Sequence, residues 1–145
     1  VHFVPVILHI GLGTFRPVEV EDLTKHRMDS EFFEITEESA KVINKTIADG
    51  KRVVAVGTST VRALETSVTA DGFVRPNKGW TDKFIYPSYT FRIVNRMITN
   101  FHMPESTLLM LVSAFADTTM VMKSYKKALR EGYKFLSYGD AMLII

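Results

Sequence analysis

The sequence contains no cysteine, and this absence removes several kinds of site at once. Disulfide bonds, thiolate zinc sites and a cysteine nucleophile are all excluded, and the composition suits a reducing compartment. No run of about 18 apolar residues is present, so we expect no helix that crosses a membrane. No charged-then-apolar leader is visible at the start of the chain, so we expect no secretory signal.

An excess of charge of either sign is also lacking. The 145 residues carry 18 Lys and Arg against 16 Asp and Glu, and a net charge of +2 neither requires nor opposes a nucleic-acid partner. Hydrophobic residues make up 46%, as in a globular domain with a real core. The chain opens on Val1 rather than Met, in a strand-like run, so we expect it to be a fragment of a longer protein.

Stretches of β-branched and large apolar residues alternate with stretches of helical periodicity, which predicts a single α/β domain over residues 1–145. Strands are predicted at residues 1–10, 28–35, 52–56, 83–86, 93–98 and 141–145, and those at 1–10, 52–56, 93–98 and 141–145 are expected to be buried. Helices are predicted at residues 19–26, 36–48, 57–65, 106–115 and 118–131, with Thr36, Ser106 or Thr107, and Asp117 as capping residues. Residues 68–81 are rich in turn residues and are predicted to form a loop or a loose hairpin.

Three of the predicted strands end in a polar turn that leads towards a helix, at residues 11–16, 57–62 and 99–106. If the strands are parallel, right-handed crossovers bring all three turns to one edge of a mostly parallel sheet flanked by helices. We expect that edge to bind a polar, partly anionic organic ligand. Its candidate residues are Arg16, Thr58, Ser59, Arg62, Asn100 and His102, and Ser137, Tyr138 and Asp140 join them if the strand near Phe135 ends there too.

Each of these features also has a purely structural explanation. His102 can simply close a loop before a capped core helix, and Arg62 can pair with Glu65 one helical turn away. Glu31 is expected to be solvated rather than catalytic on sequence grounds. The basic face of the last helix, formed by Lys123, Lys126, Lys127 and Arg130, is either solvated or a contact for a nucleic-acid backbone. The candidate set has no histidines and carboxylates at metal-binding spacing, and the chain has no Gly-x-Ser-x-Gly elbow, so we expect neither a metal nor a hydrolase triad.

Four segments resemble the S-adenosylmethionine:tRNA ribosyltransferase-isomerase family of the queuosine pathway. They are residues 9–18; Val56-Gly57-Thr58 with Arg62 and Leu64-Glu65; Thr99-Asn100-Phe101-His102 with Pro104 and residues 106–112; and residues 137–144. The resemblance runs along the whole chain in order, and it covers only the carboxyl-terminal part of that enzyme. It implies that this α/β chain is part of a larger two-domain enzyme. The amino-terminal segment and most or all of an inserted β-barrel domain are not in this sequence.

The resemblance also implies an activity. The family transfers the ribosyl part of S-adenosylmethionine to the aminomethyl group of a 7-deazaguanine at the tRNA wobble position and rearranges it, which gives epoxyqueuosine and releases adenine and methionine. S-adenosylmethionine is a substrate, and no metal or redox cofactor is implied. We expect a cytoplasmic monomer with tRNA as partner and no membrane association, and we expect this segment to be inactive by itself.

That chemistry needs a base, a proton donor for adenine, and cations for anionic groups. Our hypothesis for that chemistry assigns His102 to proton transfer, Glu31 as an alternative base, and Asp140 to the incoming amine. The expected substrate-binding residues are Arg16 and Arg62 for anions, Thr58 and Asn100 for ribose or base, and Gly57 and Tyr138.

Three positions depart from the family pattern. Asp29 stands where histidine is expected in Met-His-x-Glu, and Ser88 and Asp117 stand where glycine is usual, which puts the local turn geometry in doubt. Two other functions stay open: an RNA-binding module without catalysis, and an unrelated nucleotide-binding α/β domain.

Overall fold

The chain contains six strands in two three-stranded sheets and four α-helices. The structure is a computed structural model that describes residues 1–145. The strands are β1 Ile7–Leu8, β2 Glu31–Ile35, β3 Val54–Val56, β4 Asn77–Thr81, β5 Arg96–Asn100 and β6 Ala141–Ile144. The helices are α1 Glu37–Ala48, α2 Thr58–Thr66, α3 Thr107–Ala116 and α4 Thr118–Arg130, and short 3-10 turns lie at Leu12–Phe15 and Leu23–Lys25.

The pairing of the strands corrects the predicted topology. The first sheet has the order β1-β2-β4 and is entirely antiparallel. In the second sheet, β3 and β5 are parallel, whereas β6 runs antiparallel to β5. The α/β class is therefore confirmed, but the mostly parallel sheet is wrong. A parallel neighbour needs a crossover connection, and only β3 and β5 are related in that way here.

The predicted helix starts are confirmed by their caps. The side chain of Thr36 accepts a hydrogen bond from the Ser39 N–H at 3.2 Å, and Ser106 does the same for Leu109 at 3.1 Å. Asp117 accepts from Thr119 at 2.9 Å, which starts α4 directly after α3. Each oxygen satisfies one of the backbone donors that a helix leaves free in its first turn.

Several predicted strands are wrong or shorter than expected. Only Ile7–Leu8 pairs within residues 1–10, and residues 83–86 form no strand. Conversely, β4 lies in the stretch predicted as a loop or a loose hairpin, because five cross-strand pairs with β2 outweigh the low strand propensity of Asn77 and Gly79. The predicted helix at 19–26 is reduced to the turn Leu23–Lys25. Strand β6 is present but is half exposed rather than buried, since it lies at the edge of its sheet.

Helix α2 is the central element of the packing, because it contacts strands of both sheets. Five consecutive residues of this helix, from Val61 to Glu65, are buried, so the helix is enclosed on all sides rather than on one stripe. Two of the five are charged, and each needs a partner inside the protein.

Arg62 finds its partner on the first sheet, in a buried ion pair with Glu31 at the start of β2. Glu31 is 2% exposed and Arg62 3% exposed, so the expected solvated Glu31 is wrong. The guanidinium also donates to the carbonyl of Lys83 at 3.1 Å. On its other side, the Glu31 carboxylate accepts from the Gly11 N–H at 2.7 Å and the Thr14 hydroxyl at 2.5 Å. This cluster joins α2, β2 and the loop that follows β1.

Glu65 has a separate set of partners, and the expected Arg62–Glu65 pair is not formed. Its carboxylate accepts backbone N–H bonds from Arg92, Ile93 and Val94 at 2.9–3.2 Å. Tyr89 donates its hydroxyl to the same carboxylate, and burial and the Glu65 charge raise the pKa of Tyr89. Glu65 thereby fixes the segment that leads into β5.

Two of the residues that depart from the family pattern, Ser88 and Asp117, have a strained backbone conformation. Ser88 has φ 87° at the third position of a turn closed by the Tyr89 N–H to Tyr86 carbonyl bond, with Pro87 before it. That position of a type II turn favours glycine. Asp117 has φ 66°, but its side chain caps α4, which offsets part of the cost.

The buried pair generates a stability prediction. We expect Glu31→Gln to lower the free energy of unfolding by about 3–5 kcal/mol, because it leaves the Arg62 guanidinium buried without a counter-charge. Glu34→Gln, on the same strand, removes the exposed pair with Lys78 and is expected to cost less than about 1 kcal/mol. Urea unfolding of both variants measures the difference, and equal losses would contradict the assignment.

The strained turn at Ser88 leads to a second prediction about stability. We expect Ser88→Gly to raise the free energy of unfolding by about 0.5–1 kcal/mol, because it relieves a positive φ that costs an L-residue about 1–2 kcal/mol. Ser30→Gly, at an exposed loop position without positive φ, is the control and is expected to be destabilising. Thermal unfolding compares the two, and a loss of stability in both would show that Ser88 is not strained.

Candidate functional site

The three polar turns of the sequence lie together and line one cleft of about 350 Å³. A fourth segment, which follows α4, completes the wall with Leu136 and Ser137. The polar lining residues are Thr14, Thr58, Ser59, Thr99, Asn100, His102, Ser106 and Ser137. The turns therefore gather as predicted, although the first of them follows an antiparallel strand of the other sheet.

The first loop, after β1, is tied down at several points. Beyond the contacts with Glu31, the Thr14 carbonyl accepts the Thr107 hydroxyl at 2.9 Å, and the Val18 N–H donates to the Glu105 carbonyl at 2.8 Å. A Cβ atom at Gly13 would overlap the side chain of Asp29, so this position requires glycine. These contacts place Thr14 and Phe15 against the loop after β5.

The second loop is short and ends in the first turn of α2. Gly57 has φ 90°, a conformation that only glycine adopts without strain, and it lies at the N-cap position. A glycine cap offers no side-chain oxygen to the N–H groups of the first turn. A helix N-terminus of this kind, lined by the hydroxyls of Thr58 and Ser59, favours an anionic or hydroxyl-bearing ligand.

The third loop carries His102, which is held at two points. Its Nε2 lies 2.9 Å from the Thr99 hydroxyl, and its backbone N–H donates to the Tyr125 hydroxyl at 3.0 Å. Ser67 Oγ is the only fully buried side-chain polar atom without a partner, so Nδ1 of His102 must reach solvent. Burial lowers the pKa of His102 from 6.5 to about 4, and the imidazole is therefore neutral at pH 7.

The fourth segment approaches the cleft through Asn100. The Asn100 amide donates to the Asp140 carbonyl at 3.2 Å, and the Asp140 carboxylate accepts the Lys134 N–H at 2.7 Å. Asp140 therefore closes the 134–140 turn and does not line the cleft. Tyr138 is fully exposed and does not line it either.

The candidate cations are placed differently from expectation. Arg16 directly follows the cleft residue Phe15, but its side chain is 72% exposed and lies 3.9 Å from Asp29. Arg62 is buried against Glu31 and is not part of the lining. In this chain the cleft thus presents hydroxyls, an amide and a neutral imidazole rather than a charged side chain.

Sequence reasoning did not single out Thr14 or Leu136. Thr14 follows Gly11-Leu12-Gly13 directly, so its position in the turn was the available signal. Leu136 gives no such signal, because its φ of 70° is visible only in the structure. Glu105, with φ 57°, belongs to the loop that carries His102, and strained residues of this kind are concentrated at functional sites.

Outside the cleft, the structure has a further groove, no cluster of metal ligands and no helix that could span a membrane. A second groove of about 610 Å³ lies between α4 and β6 and is mostly apolar. No three His, Asp or Glu side chains are grouped as metal ligands would be. None of the four helices combines the length and apolarity that a bilayer span requires.

Comparisons with known proteins agree with the resemblance. The S-adenosylmethionine:tRNA ribosyltransferase-isomerase of Cytophaga hutchinsonii is 57% identical over 145 residues, 100% of this chain and 42% of that protein. The protein of the same name from Natranaerobius thermophilus is 57% identical over 137 residues, 94% of this chain and 40% of its own length. This chain thus spans about two fifths of the length of the curated relatives it matches.

A solved structure agrees in fold. The crystal structure of an S-adenosylmethionine tRNA ribosyltransferase from Thermotoga maritima matches with a TM-score of 0.75 and 41% identity, over 97% of this chain and 44% of that one. The family model described as queuosine biosynthesis protein matches residues 1–144. The chain therefore belongs to the queuosine biosynthesis protein family.

Proposed function

We propose that this chain forms part of the active site of an S-adenosylmethionine:tRNA ribosyltransferase-isomerase. The reaction transfers and isomerises the ribosyl moiety of S-adenosylmethionine onto the aminomethyl-7-deazaguanine wobble base of tRNA, forms epoxyqueuosine, and releases adenine and methionine. The observation that carries the proposal is the gathering of four separate segments around one polar cleft, in a chain whose relatives carry that enzyme's name.

We further propose that the chain corresponds to the carboxyl-terminal part of the enzyme's α/β domain, in a longer protein with an inserted β-barrel domain. The supporting observation is that the chain spans only 42% and 40% of its two curated relatives. Cytoplasmic location, a monomeric state and the absence of a resident cofactor belong to the same proposal.

The lining of the cleft suits the neutral parts of the substrate. Thr58, Ser59 and Asn100 can donate and accept hydrogen bonds, as ribose hydroxyls and an adenine edge require. We propose that the N-terminus of α2, whose first residues line the cleft, receives the carboxylate of the methionine part. Arg16, exposed beside the cleft, is the available cation for a tRNA phosphate.

His102 is proposed as the proton-transfer group. Because its imidazole is neutral at pH 7, it can accept the proton of the acidic carbon beside the sulfonium and cannot begin as an acid. The imidazolium that forms can then return that proton to the departing adenine. In the tautomer that this role requires, Nε2–H donates to the Thr99 hydroxyl, and Nδ1 is the atom that accepts and returns the proton.

We propose that Glu31 does not act as a base and that Arg62 does not bind an anion of the substrate. Each satisfies the other inside the protein, and Glu31 also holds the backbone of Gly11. We propose that both shape the cleft rather than contact the substrate. Asp140 is likewise proposed to place Asn100 and the 134–140 turn instead of receiving the amine.

A second candidate function is an RNA-binding module without catalysis. The observation that favours it is the exposed basic face of α4. Adenine separates the two functions, because only the enzyme releases it.

The direct test incubates the intact protein with S-adenosylmethionine and unmodified substrate tRNA and measures adenine. We expect adenine release, and a single-turnover rate that falls about 10²–10⁴-fold in His102→Asn, because a general acid–base group is lost. His26→Asn, a histidine outside the cleft, is the matched control and is expected to keep the wild-type rate. An unchanged rate in His102→Asn would remove its assignment, and salt-dependent tRNA binding without adenine would favour the second function.

The neutral state of His102 has a pH-dependent consequence for stability. A histidine with pKa 6.5 in the unfolded chain and about 4 in the folded chain binds more protons when the chain is unfolded. The free energy of unfolding is therefore highest above pH 6.5 and decreases as the pH falls towards 4. The loss amounts to about 3 kcal/mol. Urea unfolding between pH 7 and 4 should show this loss in the wild type and a smaller one in His102→Asn. Parallel curves for the two proteins would contradict the buried neutral state.

A further inference from the structure

Helix α4 carries a row of positive side chains that the proposed chemistry does not use. Lys123, Lys126, Lys127 and Arg130, which we call the basic stripe, are all exposed. Their spacing of three, one and three residues places them within about 100° of the helix circumference. The buried residues of α4 are Val121, Tyr125 and Ala128, on the opposite side of the helix. The basic stripe is therefore the solvent face of a helix anchored by its other face.

The charge of the basic stripe is not balanced by its surroundings. Helix α4 contains no Asp or Glu, and none of the four cations belongs to an ion pair. The acidic residues at the two ends are Asp117, which caps the helix, and Glu131, which follows it. Four unpaired positive charges on one helix contrast with a net charge of +2 for the whole chain.

The helix that carries the basic stripe is connected to the cleft at two points. Tyr125, on the buried face of α4, accepts the backbone N–H of His102, and the chain that leaves α4 reaches the cleft at Leu136 and Ser137. A helix with its side chains is about 10 Å across, so the basic stripe lies roughly one helix diameter from the loop that carries His102. Because Tyr125 lies on the opposite side of α4 from the stripe, a polyanion with one residue in the cleft reaches the stripe only by passing over the helix.

We propose that the basic stripe of α4 binds the phosphate backbone of the tRNA whose wobble base enters the cleft. The identity of the RNA rests on the proposed function. Lysine is a flexible point charge that suits backbone phosphates rather than base edges, so the stripe contributes affinity and orientation without sequence recognition. Each phosphate it neutralises releases counterions, which makes the contribution dependent on salt.

The test compares two variants of the intact protein that lose the same net charge. The first carries Lys123→Gln, Lys126→Gln, Lys127→Gln and Arg130→Gln, which keep helix propensity. The control carries Arg27→Gln, Lys41→Gln, Arg52→Gln and Arg75→Gln, four exposed cations outside α4 that belong to no ion pair. Filter binding of unmodified substrate tRNA is measured over a range of salt concentrations, and adenine release and thermal unfolding are measured in parallel.

We expect the stripe variant to bind tRNA at least about tenfold more weakly at physiological salt, and the slope of log affinity against log salt to fall by about 3. The control should keep the wild-type slope to within about one unit. Both variants should retain the wild-type unfolding midpoint, since the changed side chains are exposed and make no buried contact.

The outcomes separate the two proposals. If the slope of log tRNA affinity against log salt is the same in the wild type and the stripe variant, and adenine release is normal, the stripe does not bind tRNA. The proposed enzymatic function would be unaffected by that result. A stripe-dependent slope in a protein that releases no adenine would keep the stripe as an RNA surface and remove the enzymatic function. Binding to phosphatidylserine vesicles is measured with the same variants, and vesicle binding that depends on the stripe, with tRNA binding unchanged, would also overturn the proposal.

Discussion

The buried pair of Glu31 and Arg62 is the interaction on which the cleft depends. It joins the enclosed helix α2 to the first sheet, and the same carboxylate accepts the backbone of Gly11 and the hydroxyl of Thr14. A buried ion pair adds little net stability by itself but is costly to break from one side. Its main consequence is geometric, because it holds a loop of one sheet beside the helix start that follows a strand of the other.

The cleft is consequently a junction between two small sheets rather than the edge of one. The first loop comes from the antiparallel sheet, whereas the second and third follow the parallel pair β3 and β5. Thr107 and Thr14 join these parts across the cleft at 2.9 Å. In this arrangement the neutral His102, the hydroxyls and the helix N-terminus line one space, which is the observation on which the proposed reaction rests.

The sequence predicted what depends on local chemistry and missed what depends on pairing. Caps at Thr36, Ser106 and Asp117 follow from a side chain and its next turn, so they were correct. Strand β4 was missed because its propensity is poor and only the five pairs with β2 make it a strand. The burial of Glu31 was in principle readable, since it shares a strand face with Phe33, but its partner Arg62 lies 31 residues away.

Amide hydrogen exchange at Gly11 tests most directly whether the ion pair holds the first loop. The Gly11 N–H donates to the Glu31 carboxylate, so we expect slow exchange in the wild type and at least about tenfold faster exchange in Arg62→Lys, which lacks the planar fork. The Leu109 amide, capped by Ser106, should be unaffected and serves as the reference. Rapid exchange of Gly11 in the wild type, or equal rates in both proteins, would contradict the account.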